Sequence, residues 1–313
     1  MTPTAFLFVA RPLLALAAAL SLVACGGGAS AEAEVAPAVE DAPAERSGGI
    51  ALYTVRDDMG RDPRATLAAV ADLGYAYVEA AGYAAGEDGA EGTFYGMPPA
   101  AFRVLLDSLG LQPMSTHMGG ATRDNAARLA ADARAAGFRY FVIPVPPAGA
   151  FGVDEETGRM LMREPMAEVM EEINAIAEGV ATAGLECLYH NHDFEFEAGP
   201  DGAVPIEYFL EHSDPAALNF QMDLFWVTKA GADPVDYIGR YPGRWRSFHV
   251  KDMDAEGRFA PVGTGSIDFA RVLAERERAG LAFFLVEQDA TYDGQTPLEA
   301  VAQSREGLGA LGL

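Results

Sequence analysis

Cysteine is nearly absent: Cys25 and Cys187 are the two in 313 residues, too few for a disulfide framework. Basic residues are also few, 22 Lys and Arg against 46 Asp and Glu, giving a net charge of −24. Binding to nucleic acid rests on neutralising phosphates with Lys and Arg, so no DNA or RNA partner is expected. No G-x-G-x-x-G follows the first apolar run of the main body. The residues there are Arg56-Asp57-Asp58-Met59-Gly60, which argues against a doubly wound dinucleotide-binding fold. Histidine is scarce as well, with five in the chain, and where these five fall becomes informative. Half of the residues are apolar, as in a folded globular protein.

The N-terminus reads as a separate object. Arg11 is the sole charge in residues 1–24, and Pro12–Leu20 is a short, Ala/Leu-rich apolar run. That pattern describes a secretory signal rather than a membrane span. Leu22-Val23-Ala24-Cys25 resembles a bacterial lipobox, which implies acylation at Cys25 and attachment to a membrane through the lipid alone. Residues 25–48 are rich in Ala, Glu, Pro and Gly and read as a flexible acidic tether. The expectation is an exported, lipid-anchored chain, facing the periplasm, whose working domain spans residues 49–313.

From Gly49 a strand–loop–helix pattern recurs. Strands are expected at Ile50–Val55, Tyr75–Ala80, Gln112–His117, Tyr140–Val145, Glu186–His192, Asn219–Phe225, Trp245–Val250 and Phe283–Gln288. Amphipathic helical stretches lie between them, several closed by a glycine such as Gly184 or Gly280. Eight such units in roughly 260 residues match a (β/α)8 TIM barrel. In that fold the reacting groups sit at the carboxyl ends of the strands and in the loops after them.

Four of the five histidines fall at those ends. His117 closes the third strand, His190 and His192 the fifth, and His249 the seventh; His212 ends a helix instead. Asp223 closes the sixth strand and Glu287 the eighth, each after an apolar run where an unpaired carboxylate is costly. A divalent ion resolves that cost. His190, Asp223, His249 and Glu287 offer one ligand from each of four neighbouring strands, a set suited to Mn2+, Mg2+, Fe2+, Co2+ or Zn2+. Glu79, ending the second strand, can orient a ligand or a substrate hydroxyl, and His117 is a further substrate contact. Lys251 is placed to hold or protonate a substrate oxygen, with Asp252 beside it. Trp226 offers an apolar wall to a sugar face. Asp193 and Glu195 can support an imidazole N–H, and the Gly263-Thr264-Gly265 turn can hold an anion or simply cap a helix. The long connection Pro144–Arg163 is positioned to close over the site.

The runs His190-Asn191-His192-Asp193-Phe194-Glu195-Phe196, Gln221-Met222-Asp223-Leu224-Phe225-Trp226, Phe248-His249-Val250-Lys251-Asp252-Met253 and Val286-Glu287-Gln288-Asp289 resemble the sugar phosphate isomerase/epimerase family of xylose isomerase-like barrels. The resemblance implies a divalent metal at His190, Asp223, His249 and Glu287, and a small carbohydrate substrate. The implied reaction is isomerisation or epimerisation of a keto-sugar through an enediolate, with Glu287 or His192 moving the proton. In the family's ketose epimerases the fifth-strand position carries a glutamate that acts as the second base; here it is His190. That departure brings in the alternative of a lyase or dehydratase working through the same enolate. A lipid-anchored carbohydrate-binding protein without catalysis is the non-enzymatic alternative.

Overall fold

Eight short strands carry the architecture of the computed structural model, which describes residues 47–313. They are β1 (Gly49–Ala51), β2 (Tyr77–Ala80), β3 (Gln112–His117), β4 (Tyr140–Ile143), β5 (Glu186–His190), β6 (Leu218–Asp223), β7 (Trp245–Val250) and β8 (Phe283–Val286). Neighbours pair in parallel in chain order, and β1 pairs with both β2 and β8, closing the sheet into a (β/α)8 barrel. The leader, Cys25 and all but the end of the tether expected over residues 25–48 lie outside the described residues. Among the described residues no helix is long and apolar enough to cross a membrane.

All eight expected strands are present, several shorter than anticipated. The β4 strand stops at Ile143 because Pro144 has no N–H to give the ladder. The β6 strand stops at Asp223, whose carboxylate accepts the Trp226 N–H and caps a helix over Leu224–Lys229, so Phe225 is helical. The β5 strand ends at His190, leaving His192 in the following loop. Residues 52–55 turn into a helix over Arg56–Arg61 instead of extending β1. The helical stretch between β7 and β8 is two pieces, Phe269–Ala274 and Arg276–Ala279, the second closed by Gly280 at φ 80°.

The strand period of two divides the apolar residues between two cores. Cys187, Tyr189, Phe220, Met222, Phe248 and Val250 belong to the buried cluster formed with the helices. Val142, Leu188, Phe283 and Leu285 form a separate plug, with Tyr77, Met114 and Tyr140 packed against it. Alternation along β5 puts Leu188 and His190 on one face, and along β8 it does the same for Leu285 and Glu287. Polar side chains therefore stand on the same faces as the plug, nearer the strands' carboxyl ends. Two register shifts adjust this level. One, between Phe220 and Gln221, lets Asp223 pair with His249; another, between Val78 and Glu79, lets Glu79 pair with Ser115. The connection after β4 is not structureless, since it folds into a hairpin of Phe151–Val153 and Met160–Met162.

Candidate metal centre

One ligand atom from each of His190, Asp223, His249 and Glu287 lies within 4.8 Å of the others, and all four residues are buried. Each is aimed by a specific neighbour. Asp223 spends Oδ1 on the Trp226 N–H (3.1 Å), and Asn191 Oδ1 accepts its backbone N–H (3.1 Å). Its Oδ2 is fully buried, with Lys251 Nζ at 2.9 Å and His249 Nδ1 at 3.7 Å, yet takes no hydrogen bond of acceptable geometry. His190 faces Gln221 Oε1 through Nδ1 at 3.0 Å, which leaves Nε2 as the nitrogen that could ligate a metal. His249 faces Glu79 Oε1 through Nε2 at 2.8 Å and turns Nδ1 toward Glu287 Oε2, also at 2.8 Å. A buried carboxylate oxygen that takes no hydrogen bond, beside two imidazoles and a second carboxylate, is a donor set that fits a divalent ion, and among the described residues no cysteine joins it.

Charge follows from this packing. Burial by itself raises the Glu79 and Glu287 carboxyls. The imidazoles of His117 and His249 outweigh it at Glu79, and His249 with Lys251 does so at Glu287, holding both well below the usual carboxylate range. Burial lowers His249, but Glu287 and Glu79 raise it further than burial lowers it. Burial, with His249 and His192 nearby, pushes His190 well down, so it is neutral and keeps a lone pair to donate. Burial and the Lys251 charge bring His192 to about 4. Lys251 stays charged despite burial because Asp223, Asp289 and Glu287 surround it. Its Nζ lies 2.9, 2.8 and 2.7 Å from their oxygens.

The site opens into a cavity of about 190 Å³ whose wall includes His117, His190, His192, Lys251, Glu287 and Asp289. His192 Nδ1 and Trp226 Nε1 are buried with no hydrogen-bond partner, and their rings lie 5.5 Å apart. Lys251 Nζ is 5.5 Å from the Trp226 ring centre. His117 donates from Nε2 toward Gln221 Oε1 at 2.9 Å, with Glu79 Oε1 at 3.1 Å.

Of the two roles expected for Glu79, orienting a ligand or a substrate hydroxyl, the structure supports the first, and it corrects other expectations. Glu79 does not line the cavity. Its oxygens accept from Ser115 (2.7 Å) and Gln221 (2.8 Å) as well as facing the two imidazoles, so it holds ligands rather than substrate. Asp252 is not a substrate contact either. It is buried, and its carboxylate accepts the N–H groups of Met253, Gly263, Gly265 and Ile267. The anion held by the Gly263-Thr264-Gly265 turn is thus the chain's own Asp252. Glu195 backs no imidazole; it accepts the Tyr189 hydroxyl and the His192 backbone N–H, each at 2.8 Å. Burial pushes its carboxyl up to about 8.

Sequence reasoning missed Gln221, Asn191, Asp289 and Tyr53. Gln221 was findable: a fully buried amide two residues before Asp223 must share its face. Tyr53, 41% exposed in the cavity wall, carries no such signal, because its place depends on the turn after β1.

Comparison with known proteins agrees with this picture. A family model described as a xylose isomerase-like TIM barrel matches residues 67–311. An inosose dehydratase of Clostridium botulinum (strain Alaska E43 / Type E3) is 26% identical over 164 residues, covering 44% of this chain and 53% of that protein. The chain therefore spans about half the length of that relative. An inosose dehydratase of Geobacillus kaustophilus is 23% identical over 270 residues, 75% of this chain and 78% of its own. A sugar phosphate isomerase/epimerase from Parabacteroides distasonis ATCC 8503 superposes with a TM-score of 0.70 at 25% identity, covering 88% of this chain and 98% of its own. By the extent of the family match, the chain belongs to the xylose isomerase-like TIM barrels.

Proposed function

We propose that the chain is a divalent-metal-dependent enzyme that removes a proton beside the carbonyl of a keto-sugar or keto-cyclitol and then expels a β-hydroxyl, a dehydratase or lyase. The observation that carries this reading is the convergence of His190, Asp223, His249 and Glu287 at the barrel mouth, with a buried ammonium against two of them. A divalent ion held by these four would polarise the carbonyl and stabilise the negative charge left by deprotonation. The chain's own groups supply the proton traffic. His192, outside the ligand set and in the cavity wall, accepts the carbon-bound proton. Lys251, charged and fully buried, gives a proton to the departing oxygen, which leaves as water. Trp226, outside the cavity wall with a buried and unpartnered Nε1, packs against His192.

Elimination is preferred to epimerisation because the fifth-strand ligand is an imidazole. A neutral His190 engaged with a metal has no lone pair left to act as a second base on the opposite face. The names of the inosose dehydratase relatives support the same choice. Epimerisation remains the second reading, supported by the sugar phosphate isomerase/epimerase that shares the fold and a quarter of the residues. Incubating candidate keto-sugars and inososes with the chain and Mn2+ in deuterium oxide separates the two. The dehydratase reading expects a product that is lighter than its substrate by one water. Exchange with an inverted centre favours the epimerase, and no exchange with any candidate rejects both. On the residues of the leader alone we also propose export and lipid anchoring at Cys25; Cys25→Ser removes the thiol to be acylated and should abolish the anchoring in a fractionation of membranes.

A further inference from the structure

The cavity at the candidate metal centre has a neighbour of different chemistry. A second hollow of about 160 Å³ lies beside it, and Pro144 and Val145 line both. The first is walled by imidazoles, an ammonium and carboxylates. The second is walled by Met118, Ala121, Ile143 and Phe151 together with the proline-rich run after β4, and none of its described lining side chains bears a hydroxyl, amide or charge. The backbone is poor in donors too, since Pro144, Pro146 and Pro147 have no N–H. The two hollows diverge within one dipeptide: His117 lines the polar cavity and Met118 the apolar one. Phe151 is held in place by stacking on Phe194 at 5.9 Å, which in turn stacks on His192 at 6.0 Å.

A second sugar ring does not suit such a hollow, because each buried hydroxyl would lack a partner. An apolar group does, and about 150 Å³ of dry apolar space is enough for a benzene ring. We infer that the substrate is amphiphilic: a carbonyl-bearing sugar or cyclitol ring in the polar cavity, linked to an aromatic aglycone that lodges against Met118, Ala121, Ile143 and Phe151. This inference rests on the carbohydrate reading of the polar cavity and adds the substrate's second half.

The test compares two inert probes, methyl and phenyl β-D-glucopyranoside, by calorimetry on the full chain with Mn2+ present. Phenyl should bind at least about tenfold more tightly, from burial of the ring. Ala121→Trp, which fills the hollow, should bring the ratio close to one. Phe151→Gln, at a half-buried position in the hairpin, should do the same and covers the case in which Ala121→Trp does not fold. Equal affinity in the parent, no binding of either probe, or a preference that survives in a folded variant overturns the aromatic subsite. Deuterium exchange on the 3-keto derivatives of the same pair is run alongside. A phenyl preference without exchange retains the subsite and rejects the proposed reaction, whereas exchange without the preference does the reverse.

Discussion

Glu79 shows how one side chain can govern a site it does not enter. Its carboxylate accepts the His249 Nε2–H, so the other ring nitrogen is the one turned toward Asp223 and Glu287. Partners of this kind are worth about 10- to 100-fold in metal affinity. Glu79→Gln should therefore weaken Mn2+ binding by about that factor in calorimetry, and unchanged affinity would show that packing alone aims His249. Glu195 makes a separate case. Folded, it keeps its proton up to about pH 8, against an ordinary value of 4.5. The folded chain thus holds one proton more than the unfolded chain across that window, and this residue's contribution to stability falls as pH rises through it. Glu195→Gln keeps a neutral side chain of the same shape, so its advantage in denaturation midpoint over the parent should grow between pH 5 and pH 8. A constant difference would mean that Glu195 ionises normally. The ligand residues were legible in the sequence because histidine is rare and carboxylates seldom end apolar runs. Glu79 was legible as a polar strand end that orients a ligand or a substrate hydroxyl; which of the two depends on the neighbours that fill its four lone-pair sites.

Element boundaries account for most of the rest. The eight strands and their alternation with helices could be read from apolar runs and punctuating glycines. Their ends could not, because a single side chain decides them. Asp223 ends β6 by capping the next helix, and Pro144 ends β4 by withholding an N–H. The hairpin over residues 151–162 gave no alternating pattern long enough to see, with three residues in each strand. Asp252 organises the loop after β7 through four backbone N–H groups, an arrangement that depends on residues up to 15 positions away. A Cβ at Gly265 would meet Asp252 Oδ1 at 2.4 Å, so the carboxylate and the glycine are fitted to each other. Asp252→Ala leaves those donors unpaired and should cost about 3 kcal/mol in urea denaturation. Metal stoichiometry should persist in the folded fraction; a variant as stable as the parent would show that water replaces the carboxylate.

At the scale of the whole molecule, a barrel gathers ligands that are far apart in the chain. His190 and Glu287 are separated by nearly a hundred residues, yet their donor atoms lie within 4.8 Å of each other. The net charge of −24 adds a general attraction for cations, which salt screens, while the buried site is screened much less. An ion bound to the folded state alone stabilises it by about 2.7 kcal/mol at a hundredfold excess over Kd. Added Mn2+ or Zn2+ should therefore raise the thermal midpoint at 0.5 M salt as well as at low salt, and a chelator should reverse the rise. A shift that vanishes at high salt would indicate surface binding only. The most direct measurement is the metal content of the purified, metal-loaded chain after gel filtration, set beside that of Asp223→Ala with His249→Ala. The four-ligand centre predicts one equivalent per chain in the parent and none in the double variant. Equal metal in both, or none in the parent at saturating ion, would contradict it.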